Sequence, residues 1–146
     1  LSLMGINFSF QTTFTLKNRM VLKQWIKNTI EANNKEMGDI SYIFCSDDQL
    51  LDINKEFLNH DYYTDVITFD YSETENVSGD IFISIDRIRD NAKILELSYL
   101  DELHRVIIHG VLHLLGFKDK TKEESKNMRR LEDECLSELL TLLNKK

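Results

Sequence analysis

Alternation of hydrophobic and polar residues predicts the strands of this chain. Ile6, Phe8 and Phe10 alternate with polar residues, which is typical of a half-buried strand. Residues 40–45, 65–70 and 79–85 are short stretches rich in Ile, Val, Phe and Tyr, as expected of buried strands. Residues 72–78 are a polar turn between the last two stretches. We therefore predict four strands, of which the third and fourth form an antiparallel pair.

Helical spacing of the remaining apolar residues predicts five helices between and after these strands. The first covers residues 16–33, in a region that we expect Gly38 to end. Capping-box spacing at 46–49 and 121–124, and polar start signals at Asp86 and Ser98, place the beginnings of the other four. The fourth helix should run to about Leu115. Inward-facing positions are expected at Leu50, Ile53, Asn54 and Phe57 in the second helix and at Met128, Leu131, Cys135, Leu139 and Leu142 in the last.

These elements interleave irregularly, so the predicted fold class is α+β: a small mixed sheet of about four strands covered by four to five helices. The 146 residues are the size of one domain, which we take to span residues 1–146. A hydrophobic content of 42% and a charged content of 29% indicate a soluble globular protein. With no apolar run long enough to span a membrane and two isolated cysteines, Cys45 and Cys135, we expect a cytoplasmic protein with reduced thiols.

The charge distribution permits a local anion-binding surface although the net charge is −7. Five basic residues and one acidic residue lie in residues 1–35, whereas twelve acidic residues and only Lys55 lie in residues 36–80. Arg19, Lys23 and Lys27 share one face of the first helix. That face is interpreted as a solvated basic stripe, common on amphipathic helices, with an RNA-contacting face as the alternative.

The segment from His109 to Asp119 carries the main candidate chemistry. His109 and His113 are four residues apart, so on a helix both imidazoles face one side and can bind one metal ion. Gly116 allows the chain to turn back and to bring Asp119 toward that ion. This spacing matches the frame of metzincin-type zinc sites. Two histidines and one carboxylate, with a fourth position left for water, indicate a catalytic site for one Zn²⁺ ion.

Each of these residues also has an ordinary structural interpretation. Helical histidines four residues apart can simply be packed or solvated, and Asp119 can cap the final helix. The glycine and the carboxylate in frame favour the metal site. His104 lies on another face and is interpreted as a surface or core residue. The core stripe of this helix is predicted to comprise Leu103, Ile107, Gly110, Val111 and Leu114, and the two candidate ligands flank it.

Gly110 decides against a peptidase. Zinc proteases of this frame place a glutamate directly after the first histidine, where it serves as general base for the zinc-bound water. This chain has glycine at that position. We therefore expect the ion to act as Lewis acid and source of hydroxide in a different hydrolysis, with proton transfer carried out by another group.

With this combination, the chain resembles the YbeY family of bacterial rRNA maturation factors, which are zinc-dependent endoribonucleases. Residues 109–117 (HGVLHLLGF) are similar to the family signature HGxLHLxG(Y/F). Leu58-Asn59 followed by TDVITF at 64–69 is similar to its LN…TDVLSF segment, and Gly79-Asp80-Ile81 is similar to its GDI strand. The resemblance covers most of the chain.

This resemblance implies a metal-dependent hydrolase, specifically a single-strand-specific endoribonuclease in 16S rRNA 3′-end maturation and ribosome quality control. The implied partners are rRNA and the ribosome or ribosomal proteins, with no membrane and no DNA partner. The implied metal ligands are His109, His113 and Asp119. Two rival hypotheses remain: a non-catalytic, zinc-containing ribosome assembly factor, and a metal-dependent hydrolase of another substrate.

Two departures from the family pattern affect the site. The family's third ligand is usually histidine, so Asp119 is expected to retain the ion with changed affinity or metal preference. The family also has an arginine, thought to contact phosphate, in the loop that is shortened here to residues 60–63. His60 either replaces it or is a solvated loop residue. Asp65 and Asp80 are candidate proton carriers, or they orient turns and strand ends; the general base is not identified.

Overall fold

A computed structural model describes residues 5–145 and shows the predicted α+β architecture. Within those residues a four-stranded sheet is combined with five helices. The strands are β1 (Ile6–Phe10), β2 (Glu36–Cys45), β3 (Val66–Asp70) and β4 (Asn76–Ser84). The helices are α1 (Arg19–Ala32), α2 (Asp47–Leu58), α3 (Ile85–Leu95), α4 (Tyr99–Leu114) and α5 (Lys122–Leu143).

The sheet is mixed, with the strand order β1-β2-β4-β3. β1 pairs with β2 and β2 pairs with β4 in parallel, whereas β3 pairs with β4 in the antiparallel sense that the short polar turn predicted. β3 is therefore an edge strand, and none of the strands among residues 5–145 pairs with its outer side.

Both faces of the sheet are covered, but unequally. The larger core lies between one face and helices α1, α4 and α5, and Tyr42, Phe44, Ile81 and Ile83 of the two central strands are fully buried in it. α2 packs on the opposite face, over a smaller cluster around Leu50. α4 is buried on most of its circumference, and every residue of the core stripe predicted for it is buried, so that prediction is confirmed.

Helix starts follow the local polar signals in most cases. Ser46 and Thr121 form the predicted capping boxes, and Ser98 caps α4. The expectation for Asp86 was wrong: Ser84 accepts the hydrogen bond from Arg87 N–H at 3.1 Å and α3 begins at Ile85. Asp86 instead accepts the backbone N–H of Asp47 at 2.9 Å.

Two strand boundaries differ from the sequence prediction. Gly38 does not follow the first helical region but lies inside β2, at a shift in its register with β4. A Cβ at Gly38 would overlap Asn76 Oδ1 and Ser78 Oγ, so a larger residue at this position requires both side chains to move. β4 correspondingly begins at Asn76, within the stretch that was predicted to be a turn. Because Ser78 Oγ donates to Asn76 Oδ1 at 2.9 Å, these polar residues are compatible with a strand.

Other side chains divide between the interior and the surface. The prediction that Phe57 faces inward on α2 was wrong: its side chain is 62% exposed and packs edge-on against Phe69. Cys45 and Cys135 are buried free thiols, and burial raises their pKa values to about 12 and about 11. His104 is buried against Trp25, and burial lowers its pKa.

Across residues 5–145, none of the helices has the length and apolar character that crossing a membrane requires.

The close contact between α4 and β4 gives a testable prediction at Gly110. A Cβ at this position would lie 2.8 Å from Ile81 Cγ2 and 3.0 Å from Ile81 Cδ1, and Ile81 is fully buried. Gly110→Ala should therefore destabilise the protein, because overpacking costs about 1–3 kcal/mol and exceeds the gain of about 1 kcal/mol in helix propensity. Urea unfolding of the metal-free protein measures this difference.

Ile81→Ala supplies the control in a double-mutant cycle. In that background the clash is gone, so Gly110→Ala should cost nothing or stabilise α4. An equal cost of Gly110→Ala in both backgrounds would contradict the contact. The same geometry leaves no room for the glutamate that zinc proteases place here, which gives the sequence argument against a peptidase a physical basis.

Candidate metal centre

The end of α4 and the turn after it bring the candidate ligands together. His109 and His113 lie on the last turns of the helix, which ends at Leu114. Gly116 has φ +101°, a conformation that glycine adopts without strain, and Phe117 N–H donates back to the Leu112 carbonyl at 3.0 Å. The chain thus reverses as the sequence predicted.

The returning loop is fixed at Asp119. The carbonyl of Asp119 accepts the Ser125 hydroxyl at 2.8 Å, which ties the loop to the first turn of α5. The carboxylate of Asp119 consequently faces the two imidazoles rather than capping the final helix, where Thr121 has that role.

Three potential ligand atoms face one point. Asp119 Oδ2 lies 3.3 Å from His109 Nε2 and 3.3 Å from His113 Nε2, and the two imidazole nitrogens are 2.9 Å apart. Ligand atoms about 2.0–2.1 Å from a tetrahedral zinc ion are separated by about 3.3 Å. The nitrogen–oxygen distances match this spacing, and the nitrogen–nitrogen distance is a few tenths of an ångström shorter. His109, His113 and Asp119 could therefore hold one metal ion.

Glu132 of α5, which the sequence pattern did not predict as a site residue, orients the first histidine. Its Oε2 accepts a hydrogen bond from His109 Nδ1–H at 2.6 Å. Nε2 of the same ring therefore faces Asp119. A carboxylate on the far nitrogen of a metal-binding histidine fixes the ring and raises its basicity. Glu132 is itself buried and bonded to Arg105 at 2.9 Å, so it is held in place from the other side.

The charges of this cluster set the ionisation of its members. Burial disfavours the charged form of Glu132, but hydrogen bonds from His109 and Arg105 outweigh it and lower the pKa of the carboxyl. Burial likewise opposes charge on His109, yet the hydrogen bond and charge of Glu132, with smaller contributions from Asp119 and Asp65, raise the pKa of the imidazole. The pocket therefore attracts positive charge, as a cation site should.

An open cleft of about 220 Å³ adjoins the candidate ligands. β3 and the residues just before it form its other wall, contributed by Thr64, Asp65, Val66 and Thr68. Asp65 is the one carboxylate of this lining besides Asp119. Burial raises its pKa, and Asn91 Nδ2 donates to its Oδ2 at 3.3 Å, so its carboxyl group is held in the wall of the cleft that faces the ligands.

Other sequence candidates lie outside this cleft lining. Asp80 accepts the Tyr71 hydroxyl at 3.3 Å, in agreement with the alternative that it orients a strand. His60 is exposed and hydrogen-bonded to the Tyr62 hydroxyl at 2.9 Å.

The basic stripe is distant from the cleft. Arg19 and Lys23 rest over the rings of Phe10 and Phe8 on β1. β1 and the cleft-lining β3 are opposite edges of the sheet, about 14 Å apart at the usual strand spacing. The solvated interpretation of the stripe is consistent with this position.

Comparison with known proteins identifies relatives along most of the chain. The family model described as endoribonuclease YbeY matches residues 7–140. The endoribonuclease YbeY of Porphyromonas gingivalis is 52% identical over 118 residues, which cover 81% of this chain and 78% of that protein. The endoribonuclease YbeY of Flavobacterium johnsoniae is 46% identical over 132 residues, covering 90% of this chain and 95% of that protein.

A solved structure has the same fold. The solution structure of TM1509 from Thermotoga maritima superposes with a TM-score of 0.64 at 25% sequence identity. The match covers 93% of this chain and 92% of that one. The likeness in fold therefore extends over nearly the whole chain.

Proposed function

This chain belongs to the YbeY family of endoribonucleases, and we propose that it is a metal-dependent endoribonuclease that hydrolyses phosphodiester bonds in single-stranded RNA. One observation carries the proposal: a histidine pair and a carboxylate, each offering an atom within 4.8 Å of the others, at the wall of an open cleft. The named relatives are endoribonucleases, and their likeness to this chain includes this segment.

Zinc is the metal that we propose for the site. Two imidazoles and one carboxylate, with a fourth position left for water, are the donor set of a catalytic zinc site. Among residues 5–145 these three side chains form one such cluster, which fits one ion. When bound, such an ion would lower the pKa of a coordinated water and offset negative charge on the phosphate. Asp119, in place of the family's usual histidine, is expected to alter affinity or metal preference.

The chain's own residues supply the other requirements of hydrolysis. Glu132 holds the His109 ring in the orientation that presents Nε2 to the cleft. Asp65 lines the cleft and is not one of the three ligands. We therefore assign to it the role of accepting a proton from the attacking water. Its pKa, raised by burial, brings its proton affinity closer to what general-base catalysis at neutral pH requires.

Positive charge for the RNA backbone is available on the same loop as Asp119. Lys118 and Lys120 flank that residue, are exposed, and form no ion pair with any residue in the range 5–145. Ammonium groups so placed can contact the phosphates on either side of the one being cleaved. They provide cations that the shortened loop at 60–63 lacks.

The biological substrate that we propose is the 3′ end of 16S rRNA, processed in the cytoplasm together with the ribosome or its proteins. Support comes from the family to which the chain belongs and from the three motif stretches that it shares with that family. The excess of negative charge elsewhere on the chain is compatible with such a local RNA contact.

The test uses purified protein of measured metal content and a labelled precursor RNA that contains the 16S 3′ end. Cleavage should occur in unpaired RNA, stop when a chelator removes the ion, and return with Zn²⁺. Cleavage that continues after verified metal loss would overturn metal dependence. Tight binding of the precursor without turnover would instead favour the non-catalytic assembly factor.

A further inference from the structure

The loop that joins α2 to β3 presents aromatic side chains to solvent, and it leads directly into residues that line the cleft. Tyr62 is 55% exposed and Tyr63 is 49% exposed, and His60 is also exposed. We define residues 59–64 as the aromatic loop. Tyrosine is enriched at binding surfaces, although single exposed aromatic rings are also common elsewhere on protein surfaces.

A buried residue holds the aromatic loop in one shape. Asn54, which is 1% exposed, donates from Nδ2 to the Tyr62 carbonyl at 2.9 Å. Its own carbonyl accepts the His60 N–H at 3.0 Å. Asn59 between them adopts a left-handed conformation with φ 56°. The loop is thus anchored before and within its aromatic segment, which reduces the entropy that binding would otherwise cost.

His60 and Tyr62 form a paired platform. Their rings stack with centroids 5.0 Å apart and planes 21° from parallel, and the Tyr62 hydroxyl bonds to His60 Nδ1 at 2.9 Å. The Tyr63 side chain makes other contacts. Arg87 Cζ lies 5.4 Å from the centre of its ring, and its hydroxyl donates to Asp48 Oδ1 at 3.1 Å. The Tyr62 ring is consequently the one held in place yet exposed.

The platform lies next to the cleft along the chain. Thr64 and Asp65 line the cleft, and Tyr62 precedes Thr64 by two residues, so their Cα atoms are within about 7 Å. An extended strand with one phosphate in the cleft would place a neighbouring base near the Tyr62 ring. Unpaired bases stack on aromatic side chains with little regard to sequence, whereas bases inside a duplex are not available.

Two acidic side chains in and near the aromatic loop form ion pairs, so they repel RNA phosphates less than unpaired carboxylates would. Asp61 in the loop pairs with Lys55 at 3.6 Å, and Asp47 pairs with Arg87 at 2.8 Å. Arg87 lies outside residues 36–80, so its pair with Asp47 offsets part of the acidic excess of that segment, whereas Lys55 already belongs to it.

We infer that the aromatic loop is a base-stacking surface that selects unpaired nucleotides beside the cleft, with the Tyr62 ring as its main contact. This inference rests on the proposed nuclease function. It adds to that function a specificity-determining residue, which acts on binding rather than on the chemical step.

The test measures binding of a fluorescent, unstructured ribo-oligonucleotide to the full chain in the presence of chelator, so that no cleavage occurs. Tyr62→Leu should weaken binding about five- to a hundredfold, the range expected for loss of one base–aromatic stack. Tyr62→Trp should restore it. Tyr71→Leu is the matched control, because Tyr71 is 59% exposed but lies at the other end of β3.

A second probe removes the base instead of the ring. An oligonucleotide with abasic sites keeps its phosphates, and it should bind the unmodified protein more weakly while losing little further affinity on Tyr62→Leu. With metal present, Tyr62→Leu should raise KM and leave kcat nearly unchanged.

The outcomes separate this inference from the proposed function. Equal affinity of Tyr62→Leu and unmodified protein for the intact oligonucleotide would overturn the stacking surface, whatever the nuclease activity. Loss of binding in Tyr71→Leu as large as in Tyr62→Leu would also overturn it. Binding that depends on Tyr62 in a protein that cleaves no RNA would support the surface and reject the nuclease.

Discussion

His109→Ala is expected to eliminate both the bound metal and RNA cleavage. The substitution removes one of three ligand atoms and leaves His113 and Asp119 as an incomplete site. Loss of an outer partner of a metal ligand already costs about 10- to 100-fold in affinity, so loss of a ligand should cost more. Metal content after dialysis, affinity by competition with a chelating dye, and cleavage of labelled RNA measure the effect.

His113→Ala provides the matched variant, because it removes a ligand without disturbing Glu132. His109→Ala also deprives the buried Glu132 of a hydrogen bond at 2.6 Å, so in metal-free protein it should be less stable by about 1.5–3 kcal/mol. His113→Ala should lose the metal with a smaller change in urea unfolding. Retention of metal at full affinity in either variant would contradict the proposed ligand set.

Local signals in the sequence are sufficient for most of the fold. Capping residues such as Ser46, Ser98 and Thr121 act within one helical turn, and strand alternation acts within a few residues. The errors at Gly38 and Asn76 have one cause: the Asn76 side chain reaches across the β2–β4 ladder to Gly38 at the shift in register, 38 positions away in the chain. A polar strand segment is recognisable only when its pairing partner is known.

The candidate site divides in the same way. The two histidines, the turn at Gly116 and Asp119 lie within eleven residues, so their meeting depends on one helix end and could be predicted. Asp65 and Glu132 reach the site only through the packing of β3 and α5 against α4. One signal for Glu132 was present, since it lies four residues after Met128 and three before Cys135 and thus on the buried face of α5.

Glu132 is the position at which the fold and the candidate site are coupled. One oxygen of its carboxylate accepts a hydrogen bond from His109 Nδ1–H, and the other oxygen accepts one from Arg105. Arg105 is only 17% exposed at its side chain and is also bonded to Asp133 at 2.8 Å. The packing of α5 on α4 therefore determines the direction of the His109 ring as well as the stability of the core beneath it.

Replacing Glu132 is accordingly expected to affect metal affinity and stability together. Glu132→Gln keeps the shape but removes the charge, and metal affinity should fall about 10- to 100-fold. Glu132→Ala should in addition cost about 3–5 kcal/mol of unfolding free energy in metal-free protein, because it leaves the partly buried Arg105 with one exposed partner. Dye competition and urea unfolding in chelator measure the two effects separately.

Asp133→Asn is the control that distinguishes orientation of the histidine from general support of the helix pair. Asp133 bonds to the same arginine but does not contact His109, and its side chain is 58% exposed. Asp133→Asn should therefore change stability by about 1 kcal/mol or less and leave metal affinity unchanged. If Asp133→Asn lowers metal affinity as much as Glu132→Gln does, the 2.6 Å contact is not what orients the ligand, and the site depends on the Arg105 network as a whole.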